Sequence, residues 1–297
     1  MDYLDKYGYR PDEQAISAGL EQIAAGQSGA PATPEVLKQC FAAMDLTTLR
    51  TNDTPAYVKA LVEKVNGLAE AYPDYPFPAS VCVYPNFAEV VRDTRRDPSI
   101  HVTCVSSCFP SAQSFLEVKV RECELAVKGG ADEIDIVLAL GSFLAGDYDA
   151  AYSEIVCMKN AIEKEAAIQD RSVVLKVILE TGLLETPENI ARASFLAMEA
   201  GADFIKTSTG KVSVNATPQA AYVMCECIRR YYEVTGRKVG FKAAGGVSTA
   251  AEAVCYYGIV QSLLGHDWMG KDLFRLGVSR LGNNLIGAIE QKTVSYF

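Results

Sequence analysis

The chain has 297 residues, 49% of them hydrophobic, and carries 28 Lys and Arg against 37 Asp and Glu, a formal charge of -9. That length holds one large domain or two ordinary ones, with enough apolar material for a substantial core. The acidic balance argues against nucleic acid and anionic membrane as main partners, because both need a basic surface to release counterions, and no apolar run approaches the roughly 20 residues of a membrane span.

The amino terminus, Met-Asp-Tyr-Leu-Asp-Lys-Tyr, has neither the basic start nor the apolar segment of a signal peptide, which predicts a cytoplasmic protein. Residues 1 to 40 read as an N-terminal helical extension, with one or two amphipathic helices broken around Gly26 to Pro34, and residues 41 to 297 as the main domain. From there short β-branched or apolar runs alternate with helix-length segments. Eight runs can be counted, near Ala42 to Leu46, Ala79 to Val83, His101 to Val105, Glu133 to Val137, Val173 to Ile178, Asp203 to Lys206, Val239 to Lys242 and Leu273 to Gly277. Thr54 opens a helix to about Ala71 and Ser111 one that ends at Gly129-Gly130. Thr186-Pro187 and Thr217-Pro218 each offer an N-cap followed by proline at the first helical position.

The runs are nearly continuous in apolar character and separated by crossovers, as buried parallel strands are. Eight β/α units over about 250 residues predict an α/β fold, a single (β/α)8 TIM barrel. A doubly wound open sheet would more often carry a glycine-rich turn after its first strand, and Asp45-Leu-Thr-Thr-Leu49 has no glycine.

Nine scattered cysteines without a Cys-x-x-Cys pair indicate neither a disulfide framework nor a zinc site, and two distant histidines, His101 and His266, do not make a histidine-rich metal centre. Gly265 to Asp272 nearly matches a nucleotide phosphate loop, but Asp272 stands where a serine or threonine must reach magnesium, and the segment precedes a strand instead of following one.

The chemistry is written in lysines. Lys206 closes the sixth run in Ala202-Asp-Phe-Ile-Lys-Thr-Ser-Thr-Gly-Lys211, and Lys176 and Lys242 interrupt the fifth and seventh runs. Most lysines are exposed, and buried ammonium groups are costly unless paired or neutralised, so three in consecutive strands point to a site. Asp135 lies between isoleucines on the fourth run and shares a face with Glu133. Asp135 and Lys176 also fit a plain structural ion pair, and Asp132 and Glu133 read as strand-entry charges. Crowded lysines suit Schiff-base chemistry. A free amine attacks a carbonyl, and bringing an ordinary lysine from ~10.4 to near neutrality takes about 4 to 5 kcal/mol, within reach of a like charge in a poorly solvated pocket. Lys206 would be the nucleophile, Lys242 the cation that depresses it and Asp135 the proton carrier; the pairing of the two lysines is firmer than their order. Gly210-Lys211, Gly245-Gly246 and Gly277-Val278-Ser279-Arg280 follow the last three strands, where barrels commonly bind phosphate.

Asp45-Leu-Thr-Thr-Leu, Val81-Cys-Val-Tyr-Pro85, Asp132-Glu-Ile-Asp-Ile-Val, Leu175-Lys-Val-Ile-Leu-Glu180-Thr-Gly, Phe204-Ile-Lys-Thr-Ser-Thr-Gly-Lys211 and Phe241-Lys-Ala-Ala-Gly-Gly-Val resemble the deoxyribose-phosphate aldolases, class I enzymes, in order from about residue 40 to 280. The resemblance implies a TIM barrel that reversibly cleaves 2-deoxy-D-ribose 5-phosphate to D-glyceraldehyde 3-phosphate and acetaldehyde. It places the Schiff base on Lys206 and gives Lys242 and Asp135 the proton-transfer roles, with Asp45, Lys176, Cys82 and Thr207 in support. No cofactor and no metal are implied. Small sugar phosphates and aldehydes are the expected partners, with a homodimer as the candidate assembly.

Two departures from the family pattern stand out. Arg280 replaces the second serine of the usual Gly-Ala-Ser-Ser, and Tyr296, a candidate for the terminal tyrosine that reaches the site in many members, is followed by Phe297. The extension before residue 40 is also longer than in short members, and could pack on a second subunit or across the barrel's bottom. Cys82 ends the second run at the catalytic face but reads better as a small apolar filler, since nothing near it in sequence lowers its pKa. Another class I or transaldolase-like barrel enzyme is the nearest alternative. A metal-dependent aldolase would lose activity in chelator, and a silent sugar-phosphate-binding barrel would have no need of the lysine pair.

Overall fold

Strands that are apolar on both faces need cover on both faces, and closing them into a barrel leaves no edge unpaired. In the computed structural model, which describes residues 2–27 and 32–297, eight parallel strands do this in sequence order. They are β1 (Met44–Thr47), β2 (Ser80–Val83), β3 (His101–Val105), β4 (Glu133–Val137), β5 (Val174–Ile178), β6 (Phe204–Lys206), β7 (Gly240–Ala244) and β8 (Phe274–Val278), and β8 closes on β1. All eight expected runs are strands. The first begins two residues later than read, because the helix before it continues to Ala42, with Cys40 and Phe41 on its buried side.

The helices start where the caps predict. Thr54, Thr186 and Thr217 each accept the backbone N–H three residues on, with proline at the first helical turn. Ser111 is different. The helix there runs Leu116–Lys128, and residues 106–115 form a loop with positive φ at Ser107, Cys108 and Ala112. Glu122, inside that helix, holds the loop by accepting the Cys108 N–H at 2.7 Å. A turn anchored from within the helix it precedes leaves little local trace in sequence.

The extension folds as α1 (Tyr3–Lys6), α2 (Glu13–Gln27) and α3 (Pro34–Ala42); part of the break expected around Gly26 to Pro34, residues 28–31, lies outside the described residues. It packs on the outer helices of its own barrel. Tyr7 stacks on Phe195 with centroids 4.3 Å apart, its hydroxyl donates to Glu199, and Arg192 pairs with Asp2.

The main apolar core lies between the strands and the surrounding helices. Inside the barrel the filling differs from the usual layers of branched apolar side chains. Val137, Ile178 and Ala112 form a small separate cluster near the carboxyl ends of β4 and β5, while charged groups fill the middle of the barrel.

Candidate active site

Side chains alternate along a strand, so Glu133 and Asp135 share one face of β4. Register places Asp135 beside Lys176 and Lys206 beside Lys242. These groups meet in the barrel interior. Asp135 Oδ1 accepts from Lys176 Nζ at 3.0 Å, and its Oδ2 accepts from both Lys206 Nζ at 2.7 Å and Lys242 Nζ at 2.8 Å. Lys242 Nζ also lies 2.5 Å from Asp45 Oδ2, whose Oδ1 accepts from Ser80 at 2.8 Å.

Burial opposes every charge here, and the partners decide which survive. For Asp135 the burial cost is outweighed by Lys176, Lys206 and Lys242, which hold its carboxyl well below the ordinary range. Asp45 is held low in the same way by Lys242, Arg275 and Lys176. For Lys242, Asp135 and Asp45 outweigh burial and raise the ammonium, and Lys176 is raised by Asp135, Glu133 and Asp45. Lys206 goes the other way. Burial, aided by Lys242, outweighs Asp135 and lowers it.

Above this layer opens a cavity of about 620 Å³, with Lys206 in its lining. Gly210, Lys211, Gly245, Gly246, Gly277, Ser279 and Arg280 line it too, so the three glycine loops do converge. Gly245 has φ +83°, and a Cβ there would stand 2.6 Å from Asn215 Oδ1; a Cβ on Gly277 would approach Lys242 Cε to 3.1 Å. Glycine at the second position leaves room for the lysine chain itself. Ser279 and Arg280 are exposed at the start of the helix Leu281–Glu290, so the Arg280 charge is available at the rim.

A layer of shared carboxylates and ammoniums, one amine of which is destabilised as a cation and opens to a cavity rimmed by glycine loops with Lys211 and Arg280, has the groups that attack on a carbonyl needs. A model of the DeoC/LacD family aldolases matches residues 40–256. The chain belongs to the DeoC/LacD aldolase family. It is 44% identical over 240 residues to the Caenorhabditis elegans protein named "Putative deoxyribose-phosphate aldolase", 80% of this chain and 76% of that one. A Toxoplasma gondii ME49 structure of the same name has a TM-score of 0.72 at 24% identity, covering 87% of this chain and 95% of that one. The aldolase QR15 gives 0.65 at 26%, covering 85% and 96%.

Not every residue expected at the site of this aldolase lines the cavity. Tyr296 is turned away: its hydroxyl donates to the Lys64 carbonyl at 2.7 Å and its ring meets Tyr72 edge-on, while Phe297 takes a place in the cavity wall. Asn283 fixes this arrangement by accepting the N–H groups of both residues. Thr207 is a staple between strands, exchanging hydrogen bonds with the Ala244 carbonyl and N–H at 3.1 and 3.0 Å. Cys82 is 1% exposed and its thiol is raised by burial, the behaviour of a filler.

Three residues of this aldolase escape sequence reasoning. Glu133 is not a strand-entry charge, as read from the run; it is fully buried and pairs with Lys176 and Arg275. Asp132 does sit at strand entry, paired with Arg95. Arg275, in the middle of an otherwise apolar β8, is 1% exposed. Only its interruption of that run signals it. Glu180 is 2% exposed with φ 56°, and accepts the Thr209 N–H at 3.1 Å and the Thr209 hydroxyl at 2.5 Å. Thr209 Oγ1 in turn accepts the Lys211 N–H at 3.1 Å, so a carboxylate after β5 shapes the glycine loop after β6.

Proposed function

We propose that this aldolase reversibly cleaves 2-deoxy-D-ribose 5-phosphate to D-glyceraldehyde 3-phosphate and acetaldehyde through a Schiff base on Lys206. The observation that carries the reading is that Lys206, alone of the three strand lysines, is lowered below its ordinary value, and it borders the cavity. Lys242, held charged by Asp135 and Asp45, is the neighbouring cation and proton donor.

In the cleavage direction the Lys206 amine adds to the aldehyde carbon of the open-chain sugar, and loss of water leaves an iminium. Removal of the proton from the C3 hydroxyl then breaks the C2–C3 bond. Its electron pair flows into the iminium to give an enamine, and glyceraldehyde 3-phosphate leaves. Proton transfer to the terminal enamine carbon and addition of water release acetaldehyde and restore the amine. Asp135 and Lys242 are assigned these proton transfers on this reading, and a charge fixed beside the developing oxyanion would favour the transition state without reorganisation. Gly210, Lys211, Gly245, Gly246, Gly277, Ser279 and Arg280 hold the phosphate on this reading, with backbone N–H groups and two cationic side chains. A cytoplasmic setting accompanies it, supported by nine unpaired cysteines, most of them buried.

Incubating the protein with deoxyribose 5-phosphate and separately with dihydroxyacetone-derived sugar phosphates, in chelator, tests the substrate assignment. Acetaldehyde and glyceraldehyde 3-phosphate from the first and nothing from the second is the expected result. Cleavage only of ketone-derived sugars would replace this reading by another class I aldolase.

A further inference from the structure

Among the described residues, the ionic layer inside the barrel contains three carboxylates, Asp45, Glu133 and Asp135, and four basic side chains, Lys176, Lys206, Lys242 and Arg275, each no more than 4% exposed. Three carboxylates balance three cations, and one basic group is left over. A net charge sealed from water is costly, so the group with the weakest hold on a carboxylate is the one that sheds its proton.

Arg275 decides which group that is. A guanidinium does not deprotonate in a protein. It takes Asp45 Oδ1 at 2.5 Å and both oxygens of Glu133, at 3.0 Å from Nη1 and 2.6 Å from Nη2, over the ring of Phe204. Glu133 is shared with Lys176 and Asp45 with Lys242, so all three lysines draw on Asp135, and two of them on one of its oxygens. Among the described residues, Lys206 has no other carboxylate partner.

We propose that Arg275 is a positioning residue that keeps the Lys206 amine unprotonated, by supplying the cation that completes the charge balance of the layer without it. With Arg275 gone, Lys242 turns to Asp45 and Lys176 to Glu133, Asp135 is left to Lys206, and the three lysines balance the three carboxylates as ammoniums. Among the described residues, the other polar groups near the layer are Ser80 and the Cys82 thiol from β2, and Thr103, the Cys104 thiol and His101 from β3; His101 Nδ1 donates to Glu133 Oε1 at 2.7 Å and is partly exposed. None of these is a further buried cation.

This rests on the reading of Lys206 as the nucleophile, and the test separates the two. The rate of acetaldehyde trapping at Lys206 with cyanoborohydride is followed by peptide mass from pH 5 to 10 in the wild type, Arg275→Lys, Arg275→Met, Glu133→Gln and the double variant Arg275→Met with Glu133→Gln. The free amine reacts, so trapping rises with pH through the Lys206 titration. Arg275→Met should raise the midpoint, making trapping at pH 7 about tenfold slower or more. Arg275→Lys should stay near the wild type, Glu133→Gln should fall below it, and the double variant, with two carboxylates and three lysines, should return to it. A purely structural arginine would make the double variant worse than either single one. If Arg275→Met does not fold, the double variant and Glu133→Gln carry the comparison. An unmoved midpoint in folded Arg275→Met, or a double variant displaced from the wild type, overturns the role of Arg275, whereas absence of a Lys206 adduct in the wild type overturns the nucleophile assignment itself.

Discussion

Lys206 and Lys242 are the same residue type on neighbouring strands, and their environments push them apart. Both are buried and both touch one oxygen of Asp135, yet Lys242 has Asp45 as well and Lys206 does not. One additional carboxylate at 2.5 Å raises one amine and leaves the other as the weaker base. Their pairing can be read from the strand pattern; their order cannot, because Asp45 is about two hundred positions away and enters only through barrel closure. Cys82 belongs to the same scale. It lies among charged groups, but burial raises its thiol, and the charges of Lys242 and Asp135 act in opposite directions on it. Cys82→Ala is expected to leave turnover within about threefold of the wild type, since a thiol that stays protonated offers packing and little else; a hundredfold loss in kcat would contradict this.

At the scale of elements, the strands and capped helices are legible because each is specified locally: apolar runs of strand length, threonine before proline, glycine where the backbone needs positive φ. The loops between strand ends and helices are less so. Residues 111–115 read as the first turn of a helix in sequence, but they belong to a loop, residues 106–115, that Glu122 holds open. The loop after β6 is visible as Thr-Gly-Lys, but its anchor, Glu180, comes from the loop after β5 in a left-handed backbone conformation. A buried carboxylate whose hydrogen bonds go to Thr209 is placed to fix the position of Gly210 and Lys211. Replacing Glu180 by Ala is expected to raise KM for glyceraldehyde 3-phosphate roughly tenfold. Addition of acetaldehyde to itself, which has no phosphate to bind, should change little. Equal losses with both acceptors would mean that Glu180 supports the fold at large and not the loop of Gly210 and Lys211 in particular.

The whole molecule is a barrel whose apolar core lies outside the strands and whose charged layer lies within them. Composition and strand count foretell the barrel, and the three lysines and Asp135 foretell part of the layer. Glu133 and Arg275 remain hidden because a charge at the end or in the middle of a strand reads the same whether it faces water or six other charges; only the closed ring makes the difference. The extension closes its own surface against the outer helices through Leu4, Tyr7, Tyr9 and Ile16, all buried, in contacts that no local pattern specifies. The layer sits between the apolar shell of the fold and the cavity, and on the proposed reading it is how the fold sets the reactivity of Lys206. Intact mass after acetaldehyde and borohydride, on the wild type and on Lys206→Ala, tests that claim most directly. A single reduced ethyl adduct, mapped to Lys206 and absent from the variant, is the expected result. No adduct on the wild type, or an adduct on Lys242, would contradict it.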